Sequence, residues 1–128
     1  MWTNGCYDIL HIGHVRLFDY AKSLGDILIV GIDSDRRVKE LKGEGRPINS
    51  QEDRKEMLLS NHNIDGVFIF DSSEELSHLV KSNEIHTMVV GDDYRRKKVV
   101  GSEHAKEVVF FKKIQGLSTT NIIGRCPQ

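Results

Sequence analysis

Residues 4 to 14 read Asn-Gly-Cys-Tyr-Asp-Ile-Leu-His-Ile-Gly-His, with two histidines three apart and a glycine directly before the second. His11 and His14 can share one face of a beginning helix. Each can offer a ring N–H to an anionic oxygen, and either can be cationic near neutral pH when an anion is bound. Gly13 removes a side chain where a base or phosphate must come close to the backbone. A turn of this kind, between a strand and a helix, suits the phosphates of a nucleoside triphosphate. One alternative is a pair of surface histidines at a helix start. Another is a zinc site, but that needs three or four ligands and no Cys or His cluster completes it.

Further residues can join such a site. Asp8 can orient a substrate hydroxyl, or simply bond its own turn backbone. Cys6 lacks any evident base, so small-residue packing suits it better than nucleophilic attack. Lys42 is a candidate phosphate clamp in the stretch Lys39 to Asn49, which has three basic side chains, two glycines and a proline and reads as a loop. Composition equally permits a solvated lysine there, and Lys39 and Arg46 share the ambiguity. Ser118, Thr119 and Thr120 follow Gly116, and three hydroxyls in a row exceed what a helix cap requires. Lys97 and Lys98 read as a solvated face.

The elements that must hold these residues alternate between strand and helix. Strands are expected at Met1 to Asn4, Ile27 to Ile32, Val67 to Phe70, Thr87 to Val90 and Val108 to Phe111. Val15, Leu17, Phe18, Ala21 and Leu24 recur at helical spacing, with Gly25 as the stop. Ser50 with Asp53, and Ser72 with Glu75, mark two more helix starts. Ser118 opens a last short helix. Residues 92 to 104 form a polar connection. This alternation predicts an α/β fold, a doubly wound sheet of five parallel strands in a single domain spanning residues 1–128. Ligands of such sheets bind beyond the carboxyl ends of the strands. The turns at Asn4 to His14, Gly91 to Tyr94 and Gly116 to Thr120 all fall on that edge, and the first and third lead into helix N-termini, which favour anions.

The totals are those of an ordinary globular domain: 128 residues, 38% hydrophobic and 29% charged, with a net charge of -1. No global field draws the chain to nucleic acid or to anionic lipid. No apolar run approaches a membrane span, and the first residues lack a signal-peptide pattern. Cys6 and Cys126 sit at opposite ends, so reduced thiols and a cytoplasmic location are expected.

Taken in order, these motifs resemble the cytidylyltransferase-like nucleotidyltransferases, whose fold is Rossmann-like. Thr3 to His14, Leu41-Lys42-Gly43, Arg46 to Asn49 and Val100 to Glu103 are similar to heptose-1-phosphate adenylyltransferases. Gly116 to Ile123 matches the superfamily's closing motif. Val90-Gly91-Asp92-Asp93-Tyr94 looks more like glycerol-3-phosphate cytidylyltransferases, in which an arginine precedes the closing motif where this chain has Lys113-Ile114-Gln115. The resemblance implies that His11, His14 and Lys42 act on the triphosphate. Asn4, Gly5, Cys6, Gly13, Gly91, Asp92, Ser118, Thr119 and Thr120 would form the nucleotide pocket. Asp8, Arg54 and Lys113 would face the acceptor.

It further implies ATP or CTP with Mg²⁺ as the donor, a small phosphorylated sugar or polyol as the acceptor, pyrophosphate as the product, and a homodimer. A non-catalytic nucleotide-binding module on the same fold is the other expectation to test.

Overall fold

The computed structural model describes residues 1–91 and 99–112 of the chain. In order, the elements are β1 (Trp2–Gly5), α1 (Ile12–Ser23), β2 (Ile29–Asp33), α2 (Asp35–Lys42), α3 (Gln51–Leu59), β3 (Gly66–Phe70), α4 (Ser73–Ser82), β4 (Thr87–Gly91), a 3-10 turn (Ser102–His104) and β5 (Glu107–Phe111). The five strands form one sheet in the order β3-β2-β1-β4-β5, and every neighbouring pair is parallel. The chain winds outward from β1 in one direction and then crosses back to β4. The topological switch therefore lies between β1 and β4, where sheets of this type take their ligands.

Helices cover both faces. On one, Phe18 and Ala21 of α1 and Leu58 of α3 pack with Val30, Ile32, Val67 and Val89. On the other, Leu76 and Val80 of α4 pack with Trp2, Phe70 and Met88, and Val99, Val100 and Ala105 join them. Alternate residues of a strand reach opposite layers. This is why the strands read as continuous apolar runs. Among the described residues no helix is long and apolar enough to cross a membrane.

Several boundaries differ from the sequence expectation for identifiable reasons. β2 begins at Ile29 and runs to Asp33, whereas Ile27 is exposed. Gly25 does not end α1 through a left-handed turn. The cap is Leu24 in right-handed geometry, and the space at Gly25 is taken by Met1, whose Cε lies 2.4 Å from where a Cβ would stand. The largest difference is α2. Lys39 to Lys42 are helical rather than loop, and the loop begins at Gly43. Only Val38 of that helix is buried, so it has no apolar stripe for periodicity to find. Its start is defined by Ser34, whose hydroxyl accepts the Arg37 N–H. The helix expected after Ser118 lies outside the described residues.

The centre of the sheet rests on one close approach. The Trp2 indole closes on Gly31 of the neighbouring strand, with Cζ2 2.4 Å from a hypothetical Cβ and the Phe70 ring 3.1 Å from it. Both side chains are essentially inaccessible to water. Gly31→Ala should therefore destabilise the fold by about 1–3 kcal/mol through overpacking. A urea midpoint equal to wild type would contradict this packing.

Candidate active site

The chain leaves β1 at Gly5 and enters α1 at Ile12, so the histidine turn stands at the carboxyl edge beside the β1/β4 switch. Its first bend is at Tyr7, held in the left-handed region at φ 51. Three contacts stabilise that conformation. The Tyr7 hydroxyl shares a hydrogen bond of 3.2 Å with the Thr3 hydroxyl on β1. Its ring meets His14 edge-on at 5.1 Å and Phe18 at 5.4 Å. Gly5 leaves room for the same ring, which would lie 3.3 Å from a Cβ there.

His11 is the N-cap of α1, and His14 is its third residue. The His11 Nδ1 accepts the Gly13 N–H at 3.1 Å, while the His14 Nδ1 accepts the His11 N–H at 3.3 Å. This is a reciprocal capping box built from two imidazoles, in the places that Ser/Thr and Glu/Gln usually fill. The rings stack with centroids 3.8 Å apart. Because both Nδ1 atoms serve as acceptors, the hydrogen-bond network assigns the neutral tautomer with its proton on Nε2 to both rings. A proton on either Nδ1 would break this cap. The His11 ring takes up the Gly13 N–H of the first helical turn. The backbone N–H groups that donate to the two Nδ1 atoms polarise the rings, which strengthens each Nε2–H as a donor.

Gly13 has a steric role within the turn itself. A Cβ there would stand 2.9 Å from the His11 Cε1 and 3.0 Å from its Nδ1, so the missing side chain makes room for the ring of His11. Asn4 lies at the end of β1, and its Oδ1 accepts the Trp2 indole N–H at 3.0 Å. Gly91 ends β4 and pairs with Phe111.

Asp8 and Arg54 are placed otherwise than acceptor contacts would be. Asp8 is fully buried, and its carboxylate accepts the Ile48 N–H at 2.7 Å, the Asn49 N–H at 2.8 Å and the Arg46 Nε–H at 3.4 Å. The Asn49 amide returns a bond to the Asp8 carbonyl at 2.6 Å. Asp8 thus fastens the 46–49 segment to the histidine turn rather than bonding its own turn.

Arg54, on α3, also has no accessible surface. It donates to the carbonyls of Cys6 at 2.9 Å, Asp33 at 2.8 Å and Asn49 at 3.2 Å, and to the Asp35 carboxylate at 2.9 Å. Sequence reasoning did not single out Tyr7, Thr3 or Asn49 as parts of the site. The spacing of Thr3 and Tyr7 about a glycine, and the polar Asn49 just before the Ser50 cap, were the available signals.

Lys42 is the last residue of α2 and is exposed. Its charge is felt at Cys6, on the histidine turn. Burial pushes the half-buried Cys6 thiol above its ordinary value, the nearby Arg54 and Lys42 pull it down, and Asp8 and Asp33 raise it. The net shift is upward, so the group is a neutral thiol at physiological pH and a poor nucleophile. Asp92, Lys113, Ser118, Thr119 and Thr120 lie outside the described residues.

Two outcomes follow from this geometry. Gly13→Ala should move the His11 ring off its cap. The lost cap costs about 1 kcal/mol and better helix propensity returns up to about 1 kcal/mol, so stability should change little. The ¹⁵N resonances of His11 should nevertheless show loss of the fixed Nε2–H tautomer, and unaltered resonances would refute the steric role of Gly13. In a Cys126→Ser background, Cys6 should alkylate more slowly than a free thiol at pH 8, with the rate still rising above the ordinary thiol range. A rate already at its plateau by pH 8 would contradict the raised value.

The cytidylyltransferase-like family profile matches residues 2–125. The "Bifunctional protein HldE" of Campylobacter fetus subsp. fetus is 50% identical over 125 residues, covering 98% of this chain and 27% of that protein. The protein of the same name from Aliarcobacter butzleri is 48% identical over 125 residues, covering 98% of this chain and 26% of that protein. The chain therefore spans about a quarter of the length of the curated relatives it matches. Among solved structures, a lipopolysaccharide core biosynthesis protein from Thermoplasma volcanium superposes with a TM-score of 0.70 at 21% identity, over 88% of this chain and 96% of that one, a likeness of fold. With nearly its whole length matched and the histidine turn at the switch of the sheet, the chain belongs to the cytidylyltransferase-like family of nucleotidyltransferases.

Proposed function

We propose that this chain transfers the adenylyl group of ATP to a heptose 1-phosphate and releases pyrophosphate. The observation that carries the reading is the stacked His11–His14 pair at the β1/β4 switch, both rings set to donate through Nε2. The opening motif, the Lys42 segment and the relatives at 48–50% identity support the heptose substrate.

The chemistry suits a site without a general base. The second pKa of a phosphate monoester is about 6, so the acceptor is already an anionic nucleophile at neutral pH. An acceptor oxygen attacks the α-phosphorus, the bond to the bridging oxygen of pyrophosphate breaks in line, and pyrophosphate leaves with the electron pair. Positioning and charge neutralisation do the rest. His11 and His14 donate Nε2–H to phosphate oxygens as charge shifts to the leaving group. Lys42 adds a positive charge from the end of α2.

Mg²⁺ fits as the chelate of the triphosphate. Asp8, the carboxylate of the histidine turn, is occupied by three donors, so phosphates and water would supply the ligands of the ion. When bound, it would screen the phosphate charge.

A second reading is favoured by Gly91-Asp92-Asp93: cytidylyl transfer from CTP to glycerol 3-phosphate. A matrix of ATP, CTP, GTP and UTP against both acceptors, read by pyrophosphate release, separates the two. Release with ATP and heptose 1-phosphate is expected. Release only with CTP and glycerol 3-phosphate would replace the first reading, and nucleotide binding without release from any pair would favour a non-catalytic module. Family resemblance also supports a homodimer, which light scattering tests.

His14→Ala should lower kcat by about 10²–10³-fold with a cooperative thermal transition retained. Near-normal turnover would remove the histidine pair from the mechanism.

A further inference from the structure

Helix α2 is held almost entirely by polar contacts, all at its first turn. Only Val38 among its residues is buried. At its start, the Asp35 carboxylate receives the buried Arg54 guanidinium at 2.9 Å, and the Asp35 N–H donates to the Gln51 side chain at 2.9 Å. Arg37 pairs with Asp33 at 2.8 Å and donates to Ser73 at 3.2 Å, while Arg36 holds Asp71 on the next loop at 2.7 Å. From Lys39 through Gly45 the chain is exposed, and Gly43 and Gly45 adopt positive φ of 92 and 85. The helix is thus a lever about 12 Å long, fixed at Asp35, with Lys42 at its far end.

Of the anchors at Asp35, the guanidinium also binds the histidine turn. The same Nη1 that donates to the Asp33 carbonyl at the end of β2 donates to the Cys6 carbonyl, and Nε reaches Asn49 in the segment that Asp8 fastens. One rigid planar group therefore sets the origin of the lever in the frame of His11 and His14.

We infer that the Arg54–Asp35 pair is a positioning couple that aims Lys42 at the phosphates held by the histidine turn. Arg54 works through these partners rather than as an acceptor contact, which a guanidinium without accessible surface is poorly placed to be. This inference rests on the role of Lys42 given under Proposed function. It adds that α2 must be aimed from its base; Asp35, with 36% of its side chain exposed, is the member to mutate, because Arg54 then loses its counter-charge but keeps the Cys6, Asp33 and Asn49 carbonyls as acceptors.

The test is a double-mutant cycle on Lys42→Ala and Asp35→Ala, measuring kcat with ATP and heptose 1-phosphate and the thermal transition of each variant. Asp35→Ala should keep a cooperative transition and lower kcat about tenfold, the scale of a slightly misplaced charge. Asp35→Asn keeps an oxygen acceptor for Arg54 and should recover most of that loss, which also keeps the test decisive if the alanine variant folds poorly. In the Lys42→Ala background, Asp35→Ala should cost nothing further. Losses that multiply would overturn the inference and leave the role of Lys42 intact. Unchanged turnover in Lys42→Ala would overturn both, and is distinguishable because that single variant alone reveals it.

Discussion

A parallel sheet leaves carbonyls at its carboxyl edge that no neighbouring strand can satisfy, and buried ones must find donors. Here Cys6 and Asp33, just past or at the ends of adjacent strands, both give their carbonyls to Arg54. The guanidinium has no water contact, so it depends on those partners as much as they depend on it. Removing one side of such a buried arrangement costs about 3–5 kcal/mol. A lysine would not substitute, because a single ammonium cannot span carbonyls from three segments in one plane. Asp8 completes the same frame by binding the 46–49 segment. The edge is thereby a fixed platform assembled from β1, β2, α2 and α3.

On that platform the histidine pair takes its orientation from backbone groups. Side chains on a turn ordinarily lose rotamer freedom when they bind a ligand. His11 and His14 have lost it already, through two backbone N–H bonds and their mutual stacking. Tyr7 braces His14 through an edge-on ring contact, and Gly13 leaves space for His11. Preorganised donors are worth more to a developing charge than mobile ones, since nothing need reorganise as the charge moves.

The five strands are legible in the sequence as continuous apolar runs, and helices α1, α3 and α4 by apolar residues at helical spacing and a histidine or serine at the start. Gly25 follows the cap of α1 and leaves space for Met1. Helix α2 was illegible for a physical reason. Asp35-Arg36-Arg37-Val38-Lys39-Glu40-Leu41-Lys42 has charged residues on most of its circumference, and its stability comes from partners at Asp33, Arg54 and Asp71 that lie far apart in sequence. Periodicity reports burial of apolar surface and is silent about polar anchoring. The site was legible as residue types and less so as roles. A sequence marks Asp8 and Arg54 as charges beside a phosphate motif, but only geometry shows that both are consumed by backbone partners.

That consumption has an electrostatic consequence. Three carboxylates lie on the histidine turn, at the end of β2 and at the start of α2: Asp8, Asp33 and Asp35. Each is paired with its own arginine, Arg46, Arg37 and Arg54 in turn. An unpaired carboxylate about 8 Å from a phosphate would repel each phosphate charge by about 2 kcal/mol at an effective dielectric constant of about 20. Three such groups against a triphosphate would outweigh what two neutral imidazole donors and one lysine supply. Pairing every acid with an arginine removes the repulsion while keeping the acids as structural acceptors. Under the proposed reaction, histidine donors would then meet a phosphate without a field of unpaired carboxylates beside them.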